Sequence, residues 1–172
     1  MYTKDAIRFT LAASEEAVLA SLKGIEDAPL TFPTANGGCH PLWIMGHLAI
    51  VEGLVYETLS GRENPAAAWG EMFSPGTVAS PDASEYPALE VVKERYASLR
   101  AKNLALLDSM SEADLDKPTA HQPPGLEHLF DTYGKVLLTL GLHQMSHKAQ
   151  LTDAARTAGR LGAVALPVAV AA

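Results

Sequence analysis

His143 and His147 stand four residues apart in a stretch with helical hydrophobic spacing, so their side chains leave one face of a helix a single turn apart. Imidazole binds Zn, Ni, Cu and Fe well, and an i, i+4 pair can place two nitrogens on one ion. His47 lies on the apolar stripe of another expected helix, also turned inward. Three imidazoles from facing helices would form a nitrogen ligand set with positions left open. Catalytic metal sites have that pattern, whereas structural sites are closed. The same spacing also fits histidines that simply hydrogen-bond within a core, and one His-x-x-x-His pair arises easily by chance. Residue type and spacing leave both readings open.

The remaining chemistry-bearing residues read differently. His40 shares a face with His47 but lies about two turns away, too far to share an ion. His121 falls in a Pro-rich loop and reads as solvated, and His128 falls off its helix's stripe and reads as a surface residue. Cys39 could be a soft ligand or nucleophile, but a lone Cys before a helix start reads as a small apolar filler. Glu52, five residues past His47, reads as a surface or dimer contact rather than a ligand. Trp43, Trp69, Met72 and Phe73 are candidate pocket walls or ordinary core. No obvious acid–base carboxylate lies on the histidine stripes. No P-loop, Gly-x-Gly-x-x-Gly, nucleophile elbow or His-Glu-x-x-His pattern is present, so phosphoryl transfer, dinucleotide chemistry and serine hydrolysis have no support.

Four helices must position these groups, and periodicity places each of them. The first is expected from about Thr3 to Lys23, with Ile7, Leu11, Val18 and Leu22 on one stripe and Gly24 as its stop. The second starts near Pro41 and ends near Ser60, capped by Gly61, with a stripe of Trp43, His47, Val51, Leu54 and Thr58. The third opens at Pro87 and runs to about Ser109 through Leu89, Val92, Tyr96, Leu99, Asn103, Leu106 and Met110, steps of three and four that suit a bundle. The fourth runs from about Leu126 to Ala158, and its stripe carries His143 and His147. Gly134 and Gly141 weaken it by only about 1 kcal/mol each. The connection Arg62–Tyr86 is rich in Pro, Gly and Ser yet holds Trp69, Met72 and Phe73, so it is expected to fold back onto the body. Ser111-Glu112-Ala113-Asp114 is a capping-box pattern for one short turn in the second loop.

Composition sets the limits. The chain has 172 residues, 48% of them hydrophobic, which suits a single domain spanning 1–172 with a real core. With 20 acidic against 13 basic residues and a net charge of −7, it would repel a phosphate backbone, and nucleic acid is a poor partner. The single cysteine excludes an intrachain disulfide and suits a reducing, cytoplasmic setting. No signal-peptide pattern opens the chain, and no apolar run approaches the roughly 20 residues that span a bilayer, so no membrane role is expected. The apolar tail Leu161–Ala172 is expected to pack on the body or on a partner subunit.

Two segments carry a family resemblance. Leu42-Trp43-Ile44-Met45-Gly46-His47-Leu48-Ala49 with Glu52, and His143-Gln144-Met145-Ser146-His147-Lys148-Ala149-Gln150, resemble the signature segments of the DinB/YfiT-like superfamily. The loop from Trp69 to Gly76, followed by Tyr86-Pro87, also resembles its members, and segment order agrees over nearly the whole chain. The resemblance implies an all-α four-helix bundle with a long crossover loop between helices 2 and 3, a frequent homodimer, and a metal site formed here by His47, His143 and His147. Two positions depart from the pattern: Ala149 stands where Gly commonly precedes the Gln, and Ser146 where an aromatic often precedes the last His. Neither removes a ligand.

The implied function is a divalent-metal protein, with Zn or Ni the expected ion. Three neutral imidazoles leave the ion's full charge, so a water or thiol reaching it would lose a proton near neutral pH. Characterised relatives resemble thiol-dependent transferases and isomerases, in which a low-molecular-weight thiol reacts as the thiolate, or hydrolases. The expected partner is a small-molecule substrate. The alternative is a non-catalytic metal- or ligand-binding stress-response protein.

Overall fold

The chain is described by a computed structural model covering residues 2–32 and 38–160. Its regular structure among these residues is helical, with an isolated bridge between Pro118 and Thr132 and no strand. Four long helices form the body: α1 (Thr3–Lys23), α2 (Pro41–Ser60), α4 (Leu89–Ser109) and α6 (Tyr133–Thr157). Two single turns, α3 (Gly70–Phe73) and α5 (Glu127–Phe130), lie in the connections.

Side-chain pairs give the direction of each helix. Tyr56 beside Lys102 and Glu52 beside Arg100 run in step, so α2 and α4 are parallel, which is why the chain between them must travel the whole length of the body. Ser14 against Gln144 and Asp27 against Arg160 make α1 and α6 parallel as well. Contacts of α1 with α6, α2 with α4 and α2 with α6 close the set. The long connection between α2 and α4 is the crossover expected from the sequence.

The stripe expected for α1 is buried in full, with Ile7, Leu11, Val18 and Leu22 at 0% exposure. In α2 the stripe is only part of the answer. Every residue from Pro41 to Ala49 is buried, because α4, α6 and the crossover pack around this helix. By length and composition α2 is also the one described helix apolar enough to cross a membrane, but 72% of its apolar window is buried within the fold. It is the core helix. His40 caps its N-terminus by accepting from Trp43 N–H at 3.0 Å, Pro41 follows, and Gly61 closes the other end.

Two expected boundaries shift. The third long helix begins at Leu89 rather than Pro87, since the residues before it remain extended. The fourth is not continuous from Leu126: α5 ends at Phe130, and Thr132 sits in extended backbone before α6 begins. Long-range hydrogen bonds impose the break. Thr119 N–H donates to Asp131 O at 3.0 Å, Tyr133 N–H donates to Lys117 O at 3.2 Å, and the Thr119 hydroxyl donates to Phe130 O. Thr132 then caps α6 by accepting from Lys135 N–H. The capping box at Ser111 and Asp114 forms as expected over a 3-10 turn. The apolar tail Leu161–Ala172 lies outside the described residues.

Candidate metal centre

His47 projects from α2 toward α6, where His143 and His147 occupy successive turns. One ligand-capable nitrogen from each lies within 4.8 Å of the others. Nε2 of His143 is 3.2 Å from Nε2 of His47 and 3.1 Å from Nε2 of His147. For metal–nitrogen bonds of about 2.0–2.1 Å, neighbouring ligands on one ion sit roughly 3 Å apart, so the spacing fits a common ion.

The outer nitrogens decide what the inner ones offer. Nδ1 of His47 lies 2.9 Å from the carbonyl oxygen of Phe73, and Nδ1 of His147 lies 2.8 Å from Gln150 Oε1. A carbonyl oxygen only accepts, so both Nδ1 atoms carry the proton and both Nε2 atoms present lone pairs. His143 can offer a proton to one of them and not to both. At least one lone pair is therefore left without a donor, and a cation at the common focus would satisfy it. Metal-binding histidines are oriented by outer hydrogen bonds of this kind. Burial lowers the pKa of His47 to about 4, against the pull of the Phe73 carbonyl. Burial, with the charge of its two neighbours, lowers that of His143 to about 3. His147 moves down for the same first reason. All three are held neutral, the form that ligates.

The crossover supplies the support around His47. Trp43 stacks on its ring at 4.9 Å with planes 7° apart, and the indole N–H donates to Thr77 Oγ1 at 3.0 Å. Phe73 lies flat over Gly46, where a Cβ would run into its ring; that close approach brings the Phe73 carbonyl to His47. Trp69 meets the edge of the Phe73 ring at 5.8 Å and lies under Arg95.

A cavity of about 400 Å³ opens beside the histidines, with His47 and His143 at one end. Its wall differs from the one expected. Trp43, Trp69 and Phe73 do not line it; they pack behind His47 as core and support. The crossover contributes Asn64, Ser74 and Pro75 instead. Leu126, Leu129 and Phe130 close the far side, placed there by the break before α6.

Glu52 corrects another expectation. It is 0% exposed rather than a surface or dimer contact. Its Oε1 lies 2.6 Å from Arg100 Nη2 and accepts from Gln144 Nε2 at 2.6 Å, while Oε2 accepts from Asn103 Nδ2 at 2.8 Å. Ser14 completes the chain by donating to Gln144 Oε1 at 3.0 Å. One polar network thus ties α1, α2, α4 and α6 together next to His143. Burial pushes the Glu52 carboxyl up to about 7 despite Arg100. Arg100 and Gln144 had no sequence signal beyond helical register, whereas Gln150, three residues past His147, was readable as a neighbour on the same face.

The other residues fall where expected. His121 and His128 are exposed, and His40 caps α2 away from the cluster. Cys39 is half-buried, and burial pushes its thiol up, away from the nucleophilic form. Among the described residues, the three histidines are the group arranged to hold a metal, and no carboxylate joins them.

Comparison with known families agrees with this geometry. The family model of the DinB superfamily matches residues 10–151, which covers all three histidines. No curated protein matches the chain.

Proposed function

We propose that this chain, which belongs to the DinB superfamily, is a metal-dependent enzyme acting on a small molecule, with His47, His143 and His147 holding one zinc or nickel ion. The observation that carries this reading is the convergence of three Nε2 atoms, two of whose rings, His47 and His147, are already oriented by Phe73 O and Gln150 Oε1. A divalent ion there supplies Lewis-acid polarisation and favours the deprotonated form of a thiol or water that reaches it.

The protein's own part is orientation and exclusion. Trp43 and the Phe73 carbonyl fix the His47 ring, Gln150 fixes His147, and the neutral imidazoles leave the ion's charge undiminished. Ser74 and Pro75 cover the approach from the crossover side, and the apolar cavity keeps water from the reacting groups. Thiol-dependent transfer or isomerisation and hydrolysis both suit a site of this kind.

A second reading has one observation in its favour. Glu52, the carboxylate nearest in sequence to His47, is consumed by Arg100, so the cluster lacks a visible general base. That suits a non-catalytic metal- or ligand-binding stress-response protein. Metal analysis of untagged protein tests the shared premise, with one equivalent of zinc or nickel expected. Turnover of a thiol and an electrophile, or of an ester, by metal-replete but not chelator-treated protein then favours the enzyme. Stoichiometric metal with no turnover across that screen favours the binder, and protein without metal under replete conditions removes both.

A further inference from the structure

The cavity beside the histidines has a chemistry of its own. Along α2 it runs from His47 past Val51 to Leu54, a distance of about 10 Å at the helical rise per residue. Leu140 of α6 faces it from one side, and Leu129 and Phe130 lie across the far end. Apart from the two histidines, its polar side chains are Asn64, Ser74 and Thr139. No Lys, Arg, Asp or Glu lines it among the described residues. Its volume of about 400 Å³ is in the range of small-molecule sites.

These features select by transfer energy. A carboxylate, phosphate or ammonium entering the cavity would lose its hydration and find no opposite charge. An alkyl or aryl group would lose apolar contact with water and gain packing against Val51, Leu54, Leu129 and Leu140. A donor head that ligates a metal has its place at His47 and His143, where the cavity meets the histidine cluster.

From this we infer that the substrate is an uncharged, elongated apolar molecule, an alkyl or arylalkyl group carrying a single donor head that meets the histidine cluster. This rests on the metal-enzyme reading for the head and on the cavity alone for the tail, so the two can fail separately. It also sets this site against highly charged thiols as the molecule that fills the cavity.

Matched probes separate the parts in cobalt-loaded full-length protein, followed by visible absorption. Hexane-1-thiol and 6-mercaptohexanoate share a head and a chain and differ in the distal group. Hexane-1-thiol is expected to bind at least about tenfold tighter, because the carboxylate must be desolvated without a partner. 2-Mercaptoethanol, which reaches only the head position, reports the ion. Val51→Trp fills the cavity and is expected to weaken hexane-1-thiol about tenfold while leaving 2-mercaptoethanol within about twofold. Leu126→Glu, at the half-open rim, places a charge there with less risk to folding and is expected to weaken the same thiol. The neutral fluorophore N-phenyl-1-naphthylamine reports the cavity in metal-free protein and should be lost in both variants. Equal or tighter binding of 6-mercaptohexanoate, or fluorophore binding unchanged in both variants, overturns the inference. Failure to load cobalt, or no spectral response to 2-mercaptoethanol, overturns the metal reading and leaves the fluorophore result to judge the cavity.

Discussion

A histidine that donates from Nδ1 to a carbonyl has its Nε2 lone pair committed to whatever lies in front of it. At His47 and His147 both commitments point to the same place, which His143 shares. Removing one ring removes a ligand and leaves the hydrophobic stripes intact. His47→Ala and His143→Ala are therefore each expected to lose stoichiometric metal while keeping most helical circular dichroism. Full metal occupancy in both variants, measured by elemental analysis, would refute the three-histidine assignment. The residue scale also shows why Glu52 behaves as it does. A buried carboxylate against a buried guanidinium is stable as a pair and costly as a single charge. Arg100→Met is expected to destabilise the fold by up to about 3–5 kcal/mol, more at high pH than at about pH 6, since without the guanidinium Glu52 must take up a proton or stay charged and unpaired. Glu52→Gln with Arg100→Met is expected to recover part of that loss, because the amide carries no charge and its oxygen still accepts from one of Gln144 and Asn103. Urea midpoints of the single and double variants decide it, and a double variant as weak as the single one would show that the pair's charge is not what matters.

At the scale of the element, α2 holds the widest range of roles and shows where legibility stopped. Its span, Pro41 start and Gly61 end were readable from punctuation alone. Its inward His47 was readable from period, as were His143 and His147 on α6. Glu52 was misread because stripe logic assumes an exposed back, whereas α4, α6 and the crossover pack around α2. The interruption before α6 escaped because hydrogen bonds to Lys117 and Thr119, distant in sequence, override an unbroken apolar period. Even so, Asp131-Thr132 is an N-cap signal in plain view. The Phe73 carbonyl had no signal at all, since every residue carries one. His40, dismissed as a ligand, has a testable role as the cap of α2. Its Nδ1 accepts from Trp43 N–H, so its other nitrogen donates to Ser80 O at 2.8 Å, and the ring must be neutral. Burial lowers its pKa below 6.5, more than the Ser80 contact raises it. The unfolded chain takes up that proton first as pH falls, so this contribution is intact above about 6.5 and declines toward the lower folded value. In His40→Asn, which caps without titrating, that decline should be missing. Urea unfolding at about pH 7.5 and about pH 5 should show wild type losing ground to the variant at the lower pH; parallel pH profiles would exclude His40 as the source.

At the scale of the whole molecule, the outer side of the α1–α6 pair carries several large exposed apolar side chains. On α6, Leu138, Leu142 and Met145 are spaced by four and three residues and are 38%, 69% and 45% exposed. On α1, Phe9 is 70% exposed next to Thr10, which packs so closely on Gly141 that a Cβ there would strike it. Phe9 and Leu142 are thus the chain neighbours of the pair, Thr10 and Gly141, through which the two parallel helices touch closely. Large apolar side chains on adjoining helices are costly to leave in water, and none of these four lines the cavity beside the histidines. We propose that a second copy of the chain covers them, in the homodimer that the family resemblance implies; one strip facing its own copy through a two-fold axis makes a closed contact. Light scattering should return the mass of two chains, and the thermal midpoint should rise with protein concentration because dissociation accompanies unfolding. Leu142→Glu or Phe9→Glu should yield a monomer whose midpoint no longer depends on concentration. Both substitutions lie outside the core and the ligand set, so helicity and metal content should survive them. A wild-type chain that elutes as a monomer at every concentration would remove the dimer while leaving the metal centre untouched, since all three histidines belong to one chain.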